Sequence, residues 1–195
     1  FAFFFPALLF GQITFQRTYG GDSTDVANEV LQTLDGGYII GGSTNSFGAG
    51  GFDVYVIKTD STGDTLWTKT FGGTGNDYGQ ALAIHSTSGD VYVGGQTAST
   101  DLPGTAGGAQ AAKSASNDAF VARLPAALTS FTQNSYLGGS GNDYGRALAI
   151  HSASGDVYVG GYTASTDLPS TAGGAQAAHA ADGGSTDAFA ARLPA

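Results

Sequence analysis

Short apolar runs recur along the chain between clusters of Gly, Asp, Ser and Thr. "QALAIHS" (Gln80–Ser86) is followed by the turn "TSGD" (Thr87–Asp90) and then by "VYVGGQT" (Val91–Thr97). Apolar, β-branched and aromatic residues flanking a Gly-containing turn predict a β-hairpin. A loop leads to a third run, "DAFVARL" (Asp118–Leu124), and another turn to a fourth, "SFTQNSYLGG" (Ser130–Gly139). Upstream the same succession turns at "DGG" (Asp35–Gly37), continues in "FDVYVIKTD" (Phe52–Asp60) and ends in "TLWTKTFGG" (Thr65–Gly73). No stretch sustains a 3.6-residue period, and the Ala-containing loops carry too much Gly, Ser and Thr to hold a helix. The pattern predicts an all-β chain.

The pattern also repeats. Gly72–Ala112 and Gly138–Ala178 differ at only five of 41 positions: Thr74/Ser140, Gln80/Arg146, Thr87/Ala153, Gln96/Tyr162 and Gly104/Ser170. The match resumes as "NDAFVARLPA" (Asn117–Ala126) against "TDAFAARLPA" (Thr186–Ala195), and Thr18–Asn45 is a more distant third copy. The Gly-Gly pairs starting at Gly20, Gly72 and Gly138 mark three units. Four short strands per unit of this length is the sequence signature of propeller blades. The expected blades span residues 20–73, 72–139 and 138–195, with residues 12–21 as a strand completing the last blade. Small residues (Ala81, Ala83, Gly94, Gly95) would let neighbouring sheets approach, and Leu82, Ile84, Tyr92 and Phe120 would fill the space between them.

The motifs "GGSGNDYG", "GDVYVGG", "TASTDLP" and "DAFAARL" together resemble the bacterial beta-propeller repeat known as the seven-bladed (SBBP) repeat, closely over Gly72–Ala195 and more distantly in the first unit. That resemblance implies a secreted or surface-displayed propeller and no common catalytic activity. The departure is the number of units. Propellers close with roughly four to eight blades, and three units fall short. The last unit stops at "ARLPA" without a fourth strand, while "ITFQRTYGG" (Ile13–Gly21) is a fourth strand without a unit. Two explanations stand: the chain is part of a longer protein, or chains associate so that the amino-terminal strand of one completes the last blade of another.

Composition adds constraints on function. "FAFFFPALLFG" (Phe1–Gly11) is almost wholly apolar but too short to span a bilayer as a helix. It fits the apolar core of a secretory signal peptide whose basic leader lies upstream, the other reading being a buried strand or interface segment. Net charge is −9 and the seven basic residues form no cluster, which argues against a nucleic-acid partner. There is no cysteine, so disulfides, thiolate metal sites and cysteine nucleophiles are excluded.

Candidate chemistry rests on the repeated polar residues. "GGSGND" resembles half of the calcium-binding nonapeptide, but the copies are 66 residues apart rather than nine, and the first unit reads "GGDSTD". All units keep the aspartate: Asp25, Asp77 and Asp143 are expected to fix a turn by accepting backbone N–H bonds, and Asp53, Asp118 and Asp187 at the third strand to do the same. No cofactor is expected, calcium being the minor alternative. His85 and His151 are copies of one position and read as hydrogen-bonding or packing residues; His179 reads as a surface residue. The loops at residues 97–117 and 163–186 are the expected ligand surface, with Thr97, Asp101, Tyr162, Thr163 and Asp167 as candidate contacts. The expected role is a secreted or cell-surface scaffold for binding or self-assembly, with a surface glycan, another protein or its own copies as partner. The alternative is an extracellular polysaccharide hydrolase or lyase. A catalytic residue occurs once per site, whereas His85/His151 and the turn aspartates recur from unit to unit and no singular polar cluster stands out, which favours the scaffold.

Overall fold

The computed structural model describes residues 14–114, 116–127, 133–169 and 185–195. Within them the chain forms eleven strands and no helix. The first sheet contains β1 (Asp25–Gln32), β2 (Tyr38–Thr44), β3 (Asp53–Thr59) and β4 (Thr65–Phe71). The second contains β5 (Asp77–Ile84), β6 (Val91–Thr97), β7 (Asp118–Leu124) and β8 (Gln133–Leu137). The third contains β9 (Asp143–Ile150), β10 (Val157–Thr163) and β11 (Asp187–Leu193). In each sheet the strands lie side by side in chain order, and all pairs are antiparallel. The hairpin turns place Gly36, Gly89 and Gly155 at φ of 81°, 74° and 76°, a conformation that only glycine adopts cheaply.

The first strand of each sheet starts earlier than the apolar run predicts: β5 begins at Asp77, not Gln80. The ladder pairs Asp77–Gly79 with Thr97–Gly95, skips Gln80 as a bulge, and resumes at Ala81. Identical bulges sit at Asn28 and Arg146. A bulge flips the side-chain alternation, so a pattern read outward from "ALAI" loses its phase at that residue.

The sheets stack face to face in series. β5 packs on β1, β2 and β3, and β9 packs on β5, β6 and β7, while no comparable packing joins the first sheet to the third. Alternation along the middle sheet serves both interfaces. Val91, Val93 and Phe120 join Ile39, Val54 and Val56 in one core; Tyr92, Val121 and Ala83 join Val157 and Val159 in the other. Leu82 lies against Gly41 and Leu148 against Gly94, where a Cβ would fall 2.7 Å and 3.0 Å from the leucine side chain.

Within the single chain residues 14–21 do not reach the last sheet. They carry no ladder and run beside the first sheet instead. The Phe15 ring lies 5.8 Å from that of Tyr38, and the Tyr19 hydroxyl donates to the Gly63 carbonyl at 2.8 Å. The reason is geometric: with three sheets in series, the first and third are separated by the whole middle sheet. The apolar segment 1–11 read as a signal peptide lies outside the described residues, as does His179.

Candidate functional site

Register places the repeated polar residues in a row across one end of each sheet. Asp25 pairs with Thr44 and Thr44 with Asp53; Asp77, Thr97 and Asp118 align likewise, as do Asp143, Thr163 and Asp187. In the middle sheet Asp77 is fully buried. Its Oδ1 accepts the Thr97 hydroxyl, and its Oδ2 accepts the Gly73 N–H at 2.8 Å and the Ser99 hydroxyl at 2.7 Å. The third sheet repeats this with Asp143, Thr163, Gly139 and Ser165. The first repeats it with Asp25, Thr44, Gly21 and Ser46. Burial works to raise the Asp25 carboxyl, but the donors from Thr44, Gly21 and Ser46 outweigh it and hold the group below the ordinary carboxylate range.

The clamp extends into the Gly-rich turn that joins consecutive sheets. Ser99 donates its N–H to Thr97 Oγ1 at 2.9 Å and accepts the Gly75 N–H at 2.9 Å. Asp101 accepts the Thr74 N–H at 2.9 Å, and Asp167 accepts the Ser140 N–H at 2.7 Å. The Ser140 backbone and hydroxyl donors lower the Asp167 carboxyl. Of the five loop residues expected to face a ligand, Thr97 and Thr163 are thus buried inside the clamp, and Asp101 and Asp167 are exposed but bonded to the turn.

Tyr162 is different. Its ring is half-buried and lies 4.7 Å from that of Tyr144, with the Arg146 guanidinium 5.3 Å above it. Arg146 also donates to the Tyr162 hydroxyl at 2.9 Å and to Gln80 Oε1 at 2.9 Å. In the middle sheet these positions hold Gln80 and Gln96. Two of the five differences between the close repeats therefore build one aromatic–cationic ledge.

The row's third aspartates approach the next sheet's clamp. A Cβ on Gly72 would fall 2.0 Å from Asp53 Oδ1 and 2.6 Å from Asp77 Oδ2, so two carboxylates converge on this glycine. Asp53 is buried; its Oδ2 accepts the Ala49 N–H at 2.9 Å and its Oδ1 has no hydrogen-bond partner. Burial, reinforced by the nearby Asp77, raises its carboxyl. Asp118 is raised for the same first reason, but Ser114 supplies both N–H and hydroxyl to it, at 3.0 Å and 2.7 Å. Among the described residues no three His, Asp or Glu side chains come within reach of one shared ion.

An acid raised in the fold is penalised above its folded pKa and unpenalised below its unfolded pKa. Asp53→Asn keeps the Ala49 bond and turns an N–H toward Asp77. It is expected to stabilise the fold at pH 7.5 by about 1 kcal/mol. The gain should vanish as pH falls below the ordinary carboxylate range. Thermal melts of both proteins from pH 3 to 8 check this; a loss of stability at pH 7.5 would refute the repulsive pairing.

Sequence reasoning missed the partners of the clamp, Thr44 with Ser46 and the repeated Ser99 and Ser165, although a T-x-S follows each first-strand Asp at nearly constant distance. It also missed the ion pairs at the opposite end. Arg123 holds Asp90 at 2.6 Å and Arg192 holds Asp156 at 2.6 Å, each Asp also taking a backbone N–H, from Ala126 and Ala195. Lys58 pairs with Asp35 at 2.9 Å in the first sheet. The Thr33 hydroxyl, then Lys58, hold Asp35 down to about 2. His85 and His151 cap the hairpin turns: Nδ1 accepts the N–H of Ser88 at 3.2 Å and of Ser154 at 3.1 Å.

The long loop of the middle unit has a structural task as well. Its Gly104 and Gln110 carbonyls accept the N–H groups of Asn134 and Tyr136 at 2.8 Å and 3.0 Å, which covers the outer edge of β8.

These features define an all-β protein of repeated antiparallel sheets, each locked to the next by an aspartate-centred turn. No protein-family model matches the chain. Among curated proteins it is similar to Regulatory protein FlaEY of Caulobacter vibrioides, 34% identical over 110 residues, covering 50% of this chain and 11% of that protein. The chain thus spans about a tenth of the length of this relative. Among the described residues no helix is long and apolar enough to cross a membrane.

Proposed function

We propose that the three sheets are blades of a β-propeller that acts as a secreted or cell-surface scaffold for binding or self-assembly, without catalysis. The observation that carries this reading is the reuse of one clamp at every sheet. The carboxylates of Asp77 and Asp143, which are buried, and of Asp25, which is half-buried, are each bonded to hydroxyls and backbone N–H groups of their own turn. Groups so engaged serve rigidity rather than proton transfer. The SBBP-like motifs support the propeller and its extracellular setting, and the apolar leader supports export.

On such a scaffold the loop end carries the ligand surface. Tyr162 with Tyr144 and Arg146 offers an aromatic face and a cation, the chemistry on which a sugar ring or a peptide stacks. The test is binding of the purified chain to a panel of extracellular polysaccharides and envelope proteins, with fractionation of the source cells. Saturable binding that weakens about tenfold in Tyr162→Gln, a loss of ~1.4 kcal/mol, is the expected result. Release of reducing ends or unsaturated sugars from any polysaccharide would overturn the non-catalytic reading, and retention of the chain in the cytoplasm would overturn the surface reading.

A further inference from the structure

The two ends of the stack are complementary, and we propose that they join: two copies associate head to tail, the first sheet of one on the third sheet of the other, into a closed ring of six sheets. This rests on the propeller reading and names its partner as a second copy of the chain. The internal interfaces show what each open face lacks. On the middle sheet Ala83, Tyr92 and Val121 are buried by the sheet that follows; their counterparts Ala149, Tyr158 and Ala190 on the third sheet are exposed, Tyr158 at 39% against 7% for Tyr92. Gly41 and Gly94 each receive a leucine from the next sheet, Leu82 and Leu148. Their counterpart Gly160 receives none: a Cβ there would meet only the Ala147 Cβ, at 3.7 Å. At the other end of the stack, the residue equivalent to Leu82 and Leu148 is Val30, and it is 57% exposed. The knob missing from the third sheet is thus present on the first.

The edge strands agree. β11 is an edge of its sheet, and among the described residues nothing extends the ladder beyond it. Residues 14–21 lead into β1 through Gly20-Gly21 just as β4 leads into β5 through Gly72-Gly73 and β8 into β9 through Gly138-Gly139. One junction therefore demands both contacts at once: a strand added to β11 and a sheet laid on the third sheet, connected by two glycines. A groove of about 270 Å³, lined by Tyr92, Gln133, Val157 and Leu193, opens between the second and third sheets; across the first interface the matching flank is closed by β8 and its buried Tyr136. Rings of roughly four to eight blades are the ones that close, and two copies of these three sheets supply six.

The register is specified. Lys69 faces Val56 and Ser135 faces Val121, each three residues before a Gly-Gly pair and three after the third strand's Asp. Arg17 of one copy must then face Ala190 of the other. Facing residues in a ladder are close enough for a disulfide, and the chain has no other cysteine.

Light scattering on the purified chain is expected to give twice the 19.5 kDa chain mass. Mixing Arg17→Cys with Ala190→Cys should give a covalent pair on a non-reducing gel, and Gly160→Leu or Val30→Asp should give folded monomers. A wild-type monomer overturns the proposal, and so does a pair that survives both blocking variants or fails to cross-link. Unfolding of either variant, seen by circular dichroism, would also count against it, because both positions are open in the single chain. Ligand binding by the monomeric variants is measured separately, so loss of the ring with binding intact leaves the scaffold reading standing.

Discussion

Gly95→Ala is expected to be the most damaging single methyl in the chain. The bulge at Gln80 swings the β5 backbone over β6, and a Cβ on Gly95 would fall 1.8 Å from the Tyr78 carbonyl oxygen and 3.0 Å from the Phe120 ring. The first contact is with backbone, which no rotamer change relieves. The equivalent positions meet the same obstacle, Gly42 at 1.8 Å from the Val26 oxygen and Gly161 at 1.9 Å from the Tyr144 oxygen. Accommodating the methyl means breaking the bulge and its flanking pairs, at a cost of about 4 kcal/mol, a large part of the ~5–15 kcal/mol that holds a typical domain together. Gly160→Ala is the control: it adds the same atom beside Gly161, where there is room. Urea denaturation should show the Gly95 variant with a much lower midpoint and the Gly160 variant near wild type. Similar midpoints for the two would refute the close-approach account.

Asp77→Ala is expected to be nearly as costly, for a chemical reason. Its removal leaves the Ser99 hydroxyl and the Gly73 N–H without an acceptor in a buried turn, and the Thr97 hydroxyl with only the long contact to the Ser99 carbonyl at 3.4 Å. A stranded buried donor costs about 1–3 kcal/mol, and the three together are expected to cost about 4 kcal/mol because the turn relaxes in part. For a chain of this size that corresponds to a fall in melting temperature of roughly 10 °C. The damage should be local at first, with faster amide exchange at Gly73 and Gly75, the residues linking the first sheet to the second. Asp101→Ala removes a bond from the same turn at an exposed position and is expected to shift the melt only slightly. Equal effects of the two substitutions would show that burial of the clamp is not what matters.

Several elements could be read directly from the residues. "VYVGGQT" and "DAFVARL" are β6 and β7 to the residue, because alternating β-branched and aromatic side chains between Gly and Asp stops leave little freedom in their bounds. The first strand of each sheet was harder. A bulge is a two-against-one pairing, so it exists only relative to the partner strand and leaves no trace in the apolar pattern of β5 alone. Asp77 was legible as a turn residue from its repetition, while Thr97 and Asp101, in a loop, read as ligand contacts. Their hydrogen bonds reach back across 20 and 27 residues, a distance that local pattern does not measure.

What the sequence by itself determined is the repeated unit: strand type, hairpin positions, the count of three, and the aspartates that recur in each. Local propensity and duplication carry that information, since each depends on neighbouring residues or on comparing the chain with itself. The tertiary structure alone decided which residues face which sheet, where the two Gln-for-Arg and Gln-for-Tyr differences meet, and that residues 14–21 lie beside the first sheet. Those outcomes depend on register and stacking between segments dozens of residues apart, and a side chain's neighbours across an interface are set by geometry rather than by the residues beside it in the chain.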